Sequence, residues 1–250
     1  MKKIVGTLLL VGTFFGTVSA DVMKIEAAIG LWDQKSTGKL SYTDSGANGR
    51  YKSSEPSNSS MYFWASIKHP VPVVPNLRLE YASVEDSGVG KGKFKDFNIG
   101  VATTKVVYEM KQYDIIPYYN ILDNTAWTTL DLGLDIKIVE ASVDASANSL
   151  GFKGYKQSET LAIPLLYLRA RVEIPSTNIG LESDVKYVSY GSNRVYDIRA
   201  KVDYTFNISP VIQPAIEFGY RVQNIYIEDG SDLNVDLEFS GLYGGLMLRF

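Results

Sequence analysis

The sequence predicts an all-β protein that closes into an antiparallel up-and-down barrel of about 10 strands, with 8 as the alternative. After residue 20, nearly every segment alternates apolar and polar residues with the two-residue period of a strand, and none forms a convincing helix. No run there approaches the ~18 apolar residues of a spanning helix. Short and longer connections alternate along most of the chain, as they do between the two ends of a membrane barrel.

Residues 1–20 have the composition of an export signal. Met1-Lys2-Lys3 is basic, the segment 4–17 is apolar or small, and Val18-Ser19-Ala20 is a small-x-small cleavage site. The apolar segment is too short and too rich in Gly and Thr for a good spanning helix, so an N-terminal anchor is the weaker alternative. We expect cleavage after Ala20 and one domain over 21–250.

Each strand is assigned from a run in which one parity is apolar. The fifth is the clearest, because Leu130, Leu132 and Leu134 alternate with Asp131 and Asp135, whereas the fourth is the least regular. The ten predicted strands are about 22–33, 59–68, 76–86, within 97–121, 126–144, 159–173, 179–190, 194–206, 211–227 and 233–250.

The connections carry turn-forming residues. Those expected at the periplasmic end are short and rich in Pro, Asn, Asp or Ser, which favour turns; they are 69–75, 123–125, 174–178 and 207–210. Longer polar outer loops are expected at 34–58, 87–96 and 145–158, whereas 191–193 and 228–232 are short. The even strand count puts both ends of the chain in the periplasm.

The last predicted strand breaks the alternation. Its apolar residues have one parity over 235–239 and the other over 246–250. A β-bulge near Gly241 would restore a common face, because one extra residue reverses the phase. Alternatively, the outer half stands above the membrane, where parity has no consequence.

Composition excludes several classes of function. Removing residues 1–20 leaves 23 basic against 28 acidic residues, so no basic excess exists to hold a nucleic-acid backbone. Cysteine is absent, which excludes disulfides, thiolate metal sites and a cysteine nucleophile. The 17 Tyr and 3 Trp suit the aromatic girdles of a membrane barrel, although a soluble periplasmic β-protein could also be Tyr-rich.

The C-terminal strand, ending Leu246-Met247-Leu248-Arg249-Phe250, resembles the last strand of Gram-negative outer-membrane β-barrels. Together with the leader and the alternating strands, the chain resembles the small members of that group. The resemblance implies location in the outer membrane, contact with its lipid and lipopolysaccharide, and passage through periplasmic chaperones and the barrel assembly machinery. In that group a terminal aromatic such as Phe250 is similar to the signal that the machinery reads.

In such a barrel the apolar parity faces lipid and the polar parity faces the lumen. The polar parity carries both signs on neighbouring strands, which predicts a lumen charge network. Its members are Arg169, Arg171, Glu182, Asp184, Lys186, Asp197, Arg199, Lys201, Asp203, Glu217 and Arg221. Tight pairing among them would close the lumen, whereas segregation by sign would favour a selective pore.

No catalytic, cofactor or metal site is predicted. Some small outer-membrane barrels are enzymes that resemble one another in needing a histidine near the outer rim, but the one histidine here, His69, lies in a periplasmic link. Asp229 and Asp232 are explained as turn formers; a calcium site there lacks the EF-hand pattern. The Gly-rich segment 88–93 lacks the GK[ST] ending of a phosphate loop.

Two functional hypotheses follow. The first is a structural or surface-interaction barrel with a filled lumen, whose outer segments contact lipopolysaccharide or a partner that the sequence does not identify. Lys91, Lys93 and Lys95 form a basic cluster that would neutralise lipopolysaccharide phosphates, with a merely solvated loop as the alternative. The loop 34–58 could bind a partner or surface ligand that nothing in it specifies; its candidate residues are Lys35, Lys39, Tyr42, Arg50, Tyr51 and Lys52. The alternative is a narrow passive channel for ions or small solutes.

Overall fold

The fold was established from a computed structural model. It describes residues 23–44, 47–53, 57–71, 73–94, 97–146, 155–209, 211–229 and 233–250. The predicted leader, residues 1–20, lies outside these residues. In the described part, no helix is long and apolar enough to cross a membrane.

Eleven strands of the described residues form one antiparallel sheet. They are β1 (Lys24–Asp44), β2 (Ala47–Ser53), β3 (Asn58–Lys68), β4 (Asn76–Phe94), β5 (Phe97–Thr125), β6 (Thr128–Ser146), β7 (Tyr155–Glu173), β8 (Ile179–Tyr190), β9 (Asn193–Thr205), β10 (Gln213–Asp229) and β11 (Leu233–Arg249).

The sheet closes into a barrel because β1 pairs with β11. The other edge of β1 pairs with β3 over its first half and with β2 over its outer half. β2 and β3 both pair with β4, so together they occupy one place in the ring. The described strands therefore fill ten places, and the predicted closed antiparallel barrel of about ten strands is confirmed.

The outer ends of several strands extend further than predicted. β1 pairs with β2 over 39–44 and 47–52, and β4 pairs with β5 as far as Phe94, so the described parts of 34–58 and 87–96 are mostly strand and not loop. Above the lipid both faces of a strand meet water, so polar residues replace the alternation although the backbone ladder continues. The middle of the third predicted loop, 147–154, lies outside the described residues.

The last strand has no bulge. β11 keeps one register with both neighbours from Leu233 to Arg249. Leu237 and Phe239 are buried inside the barrel, while Leu246 and Leu248 are exposed on its outer wall. The bulge expected near Gly241 is therefore wrong. The other alternative, that the parity of the outer half of β11 has no consequence, is also wrong. The apolar residues of that half face the lumen and contribute to an apolar layer inside the barrel.

Small residues allow the seam between β1 and β11 to close. Gly30 lies opposite Gly245, and the hydroxyl of Tyr62 lies over both. A Cβ on Gly245 would lie 2.5 Å from the backbone oxygen of Ile29 and 2.5 Å from the Tyr62 hydroxyl. The next residue, Gly244, points the other way, and its nearest neighbour would be 3.4 Å from an added Cβ.

Replacing Gly245 with Ala will therefore destabilise the barrel by about 1–3 kcal/mol through overpacking. The free energy of unfolding in urea, followed for barrels refolded in lipid vesicles, measures the effect. Gly244→Ala is the matched control and should change this free energy by less than about 0.5 kcal/mol. Equal effects of the two substitutions would contradict the seam packing described above.

Candidate functional site

The lower part of the barrel interior, towards the chain termini, is ionic. Among the described residues it holds ten acidic and nine basic side chains, all buried, which we call the charged layer. Its members are Glu26, Arg78, Glu80, Asp114, Asp131, Asp135, Lys137, Arg169, Arg171, Glu182, Asp184, Lys186, Asp197, Arg199, Lys201, Asp203, Glu217, Arg221 and Arg249.

Bonds in the charged layer cross the full width of the barrel. β4 and β9 lie five places apart in the ring of ten, yet Arg199 Nη2 on β9 lies 2.6 Å from Glu80 Oε1 on β4. Gln112 and Gln223, also from opposite strands, donate amide hydrogen bonds to each other at 2.9 and 2.6 Å. Side chains therefore fill the lumen at these levels.

Most of the other contacts pair opposite charges between neighbouring or nearby strands, while Lys186 on β8 reaches Glu80 on β4, four places away. Arg169 bonds Glu182 at 2.7 Å, and Arg221 bonds Asp197 at 2.6 Å. Further pairs include Arg171 with Asp203 at 2.6 Å, Arg199 with Asp184 at 3.0 Å, Lys201 with Glu217 at 2.8 Å, and Lys186 with Glu80 at 2.6 Å. The charges alternate in sign around the lumen and do not segregate to opposite walls.

All eleven residues singled out from the sequence lie in this layer. Eight further members were missed: Glu26, Arg78, Glu80, Asp114, Asp131, Asp135, Lys137 and Arg249. Five of these lie on the polar parity of clearly alternating strands, so parity alone could have found Arg78, Glu80, Asp131, Asp135 and Lys137. Asp114 lies in the least regular strand, where parity is hard to read.

Above the charged layer the lumen is largely apolar, although it also holds buried polar side chains such as Gln34, Ser36 and Asp86. The ring of Phe239 on β11 stacks on that of Tyr108 on β5, with centroids 6.5 Å apart. This apolar layer is contributed by strands around most of the ring and consists chiefly of Val84, Tyr108, Met110, Val139, Leu165, Val195, Ile225, Leu237 and Phe239. It adds a second obstruction between the outer opening and the charged layer.

The periplasmic opening contains a vestibule with a volume of about 450 Å³. Arg169, Arg171, Arg249 and Glu26 line it at the boundary of the charged layer. Arg249 bonds Glu26 at 2.9 Å and Asp203 at 2.8 Å, and so joins the last strand to β1 and β9. The vestibule thus ends at paired charges.

The outer wall of the barrel is apolar. At each of the ten strand positions in the ring, large apolar side chains of the parity that faces away from the lumen are exposed. Together they form a belt around the barrel. They include Ile29, Leu31, Met61, Phe63, Leu79, Ile115, Leu132, Leu134, Leu166, Leu168, Leu181, Ile198, Val202, Ile216, Phe218, Leu242, Leu246 and Leu248. An exposed apolar belt around an ionic interior is the inverse of a soluble protein and is typical of a membrane-spanning barrel.

Basic side chains gather on the outer wall above this belt. Lys39 lies directly opposite Lys52, and Arg50 lies directly opposite Lys91. These four and Lys35 are exposed, and in the described part of the chain none is within 4.0 Å of a carboxylate. We call Lys35, Lys39, Arg50, Lys52 and Lys91 the basic patch. The side chain of Lys93 and all of Lys95 lie outside what the structure describes.

The described residues among the other catalytic and metal-binding candidates, His69 and Asp229, are not brought together in one site. His69 braces a turn at the periplasmic end, where its Nε2 lies 3.1 Å from the Pro75 carbonyl oxygen. Among the described residues, no group of three or more His, Cys, Asp or Glu side chains could hold a metal ion. Asp229 ends β10, and Asp232 lies outside the described residues.

The closed ring, ionic lumen and apolar belt define the fold of the Gram-negative outer-membrane β-barrel proteins, and the belt places the chain in that membrane. No family model and no curated protein matches the sequence. Among solved structures, the chain is similar to the outer membrane protease OmpT from Escherichia coli, with a TM-score of 0.50 and 13% identity over 94% of this chain and 99% of that one. This likeness shows the fold alone.

Two further solved structures are more distant in shape. The translocator domain of the autotransporter NalP from Neisseria meningitidis has a TM-score of 0.45 and 11% identity, over 100% of this chain and 95% of that one. Neisserial surface protein A has a TM-score of 0.32 and 13% identity, over 91% and 97%.

One acid in the charged layer is in excess, and the geometry identifies it. Asp135 is fully buried, and neither of its carboxylate oxygens has a hydrogen-bond partner among the described residues. Its nearest cation, Lys186 Nζ, is 3.9 Å away. Asp114 is also buried, but it pairs with Lys137 at 2.8 Å and with Lys186. The two acids therefore differ in partners and not in burial.

Asp114→Asn will destabilise the barrel by about 3–5 kcal/mol, because it leaves two buried lysines short of their counter-charge. Asp135→Asn will change stability by less than about 1 kcal/mol or increase it, because it removes a buried charge that accepts no hydrogen bond among the described residues and has only the distant Lys186 as counter-charge. Urea unfolding in lipid vesicles compares the two isosteric variants. A loss for Asp135→Asn as large as that for Asp114→Asn would show that Asp135 is a paired member of the layer.

Proposed function

We propose that this protein is a non-conducting outer-membrane barrel that binds the phosphate groups of lipopolysaccharide through the basic patch on its outer wall. The charged layer has a structural role in this proposal, since it seals the lumen. The proposed role is not enzymatic, and it assigns no catalytic part to His69, which braces a periplasmic turn. The proposed binding takes place in the outer membrane, where the protein is located.

The cross-lumen bonds support the sealed state. A conducting pore needs a continuous water path, and charges that line it must remain free to interact with passing ions. Here Glu80 and Arg199 bond across the lumen, and Gln112 and Gln223 do so as well. An ion would have to break several buried pairs and then cross the apolar layer, and each buried charge left alone costs several kcal/mol.

Planar-bilayer recordings test the sealed lumen. The folded protein should give no discrete conductance steps, while a general porin inserted in the same bilayer gives its usual steps. The recordings should use protein isolated from outer membranes. The intact mass of the same sample also shows whether the chain begins at Asp21, as cleavage after Ala20 predicts. Reproducible ohmic steps from folded protein would overturn the sealed-barrel proposal and favour the narrow channel.

The basic patch carries the proposed binding function. Like charges directly opposite each other in a sheet are destabilising, so two such pairs side by side cost stability unless an anion compensates them. Asp236 and Glu238 on β11 border the patch at Lys39 and Thr37, respectively, and no acid lies opposite Lys52, Arg50 or Lys91. Patch side chains face outward above the belt, at the height where lipopolysaccharide phosphates surround a barrel.

Neutralising three members of the patch, as Arg50→Gln, Lys52→Gln and Lys91→Gln together, should weaken binding of lipopolysaccharide by roughly a hundredfold, at about 1 kcal/mol per basic residue. Titration of the folded barrel with lipopolysaccharide measures the change. Lys111→Gln is the control, because Lys111 is also exposed on the outer side but lies 3.6 Å from Glu109. Vesicles of phosphatidylglycerol, which also carry phosphate, separate a general anion site from a lipopolysaccharide site. An unchanged affinity would overturn the proposal.

We further propose the biogenesis that the sequence suggests. Residues 1–20 would be removed on export, leaving 21–250 as one barrel domain. Phe250 would act as the signal for the barrel assembly machinery after delivery by periplasmic chaperones. Two backbone bonds between Phe250 and Ile25, at 3.1 and 2.8 Å, are consistent with a terminal residue that takes part in closing the ring.

A further inference from the structure

The turn that joins β3 and β4 at the periplasmic end carries an unusual surface. Its sequence, His69-Pro70-Val71-Pro72-Val73-Val74-Pro75, is almost entirely apolar. Val71, Val73 and Val74 are exposed, and Val73 is 87% exposed. Gly, Pro, Asn, Asp and Ser dominate turns that face water, so the prolines are expected here and the valines are not. Three exposed valines within four positions form a small apolar surface at this end of the barrel.

Hydrogen bonds hold this turn in one shape. The backbone N–H of His69 donates to Asn76 Oδ1 at 3.0 Å, and His69 Nδ1 accepts from the backbone N–H of Val71 at 3.2 Å. His69 Nε2 lies 3.1 Å from the Pro75 carbonyl oxygen, which fits a neutral ring with its proton on Nε2. The imidazole thus joins both ends of the turn.

A further bond fixes the direction in which the turn leans. The hydroxyl of Tyr119 donates to the carbonyl oxygen of Val73 at 2.6 Å. Tyr119 is exposed on the outer wall, on the same parity of β5 as Ile115 and Tyr113, whereas its neighbour Tyr118 faces the lumen. The turn therefore lies against the outer wall of the barrel and does not fold across the vestibule.

Val73 adopts a costly backbone conformation in this position. Its φ is 74°, in the left-handed region that a β-branched residue rarely enters. Such conformations persist where surrounding bonds over-determine them, often at sites of function. A glycine would relieve the strain but would remove the side chain that is most exposed. The apolar group is thus retained although the backbone would favour its loss.

We propose that this turn is a membrane anchor, in which Val71, Val73 and Val74 insert into the periplasmic leaflet of the outer membrane. Lipid is the occupant because the valines continue the apolar belt: the turn is bonded to Tyr119 on the outer wall, and Ile121 and Trp127 are exposed at the periplasmic end of the neighbouring β5–β6 hairpin. The anchor extends the lipid contact of β3–β6 beyond the ends of the strands. The anchor requires neither a sealed lumen nor lipopolysaccharide binding by the basic patch.

The absence of cysteine from the chain permits a direct test by single-site labelling. Val73→Cys and Ser176→Cys are compared in lipid nanodiscs, where both ends of the barrel are accessible. Ser176 is a matched control, since it is exposed in the turn between β7 and β8 and also has a positive φ, 62°. A charged, membrane-impermeant maleimide should react at least tenfold more slowly with the cysteine at 73. Heat-modifiable migration in detergent gels confirms that both variants are folded.

A second readout separates lipid from protein as the cause of protection. An environment-sensitive fluorophore on each cysteine should be quenched by spin-labelled lipid at position 73 and much less at position 176. Tyr119→Phe, which keeps the ring and removes the hydroxyl, should raise the maleimide reactivity at 73 several-fold because the turn is released from the wall. Equal reactivity at the two positions would overturn the anchor, and so would protection at 73 without quenching by lipid.

Discussion

Pairing of β1 with β11 is the constraint on which the rest of this structure depends. In a bilayer no water is present to satisfy an open strand edge, so a spanning sheet must close. Closure here needs Gly30 and Gly245 at the same level of the seam, where no side chain would fit beneath the Tyr62 hydroxyl. Arg249 reinforces the join by bonding Glu26 on β1 and Asp203 on β9.

Once the ring is closed, strand geometry divides the side chains into two sets. Alternate residues must face lipid or the lumen, and a lumen of ten strand places is narrow enough for side chains to meet in the middle. Charges that face such a space cannot keep their water, so a partner of opposite sign stabilises them. The charged layer supplies such partners by alternating sign around the ring, and the apolar layer above it fills the lumen chiefly with uncharged side chains.

Much of this arrangement is predictable from parity. The seventh predicted strand, 179–190, coincides with β8, and the lumen residues of β7 to β10 were identified because their alternation is regular. Prediction was weaker in segments where the two faces of a strand do not differ in polarity in the expected way. The segment 34–58 shows no regular apolar alternation in its sequence, and the pairing of its described strands is set by backbone hydrogen bonds that leave no trace in composition. The buried Leu237 and Phe239 were misjudged because apolar residues inside a barrel have the same appearance as apolar residues facing lipid.

The charged layer also restricts the order in which the molecule can be built. Strands such as β7 and β9 carry several ionic groups whose partners lie on other strands, and a single charge in the bilayer centre costs several kcal/mol. No such strand can enter lipid alone and wait for the next. Insertion and closure must therefore be nearly simultaneous, with water leaving the interior only when opposite walls have met. The layer that fills the finished lumen thus makes assembly an all-or-none event.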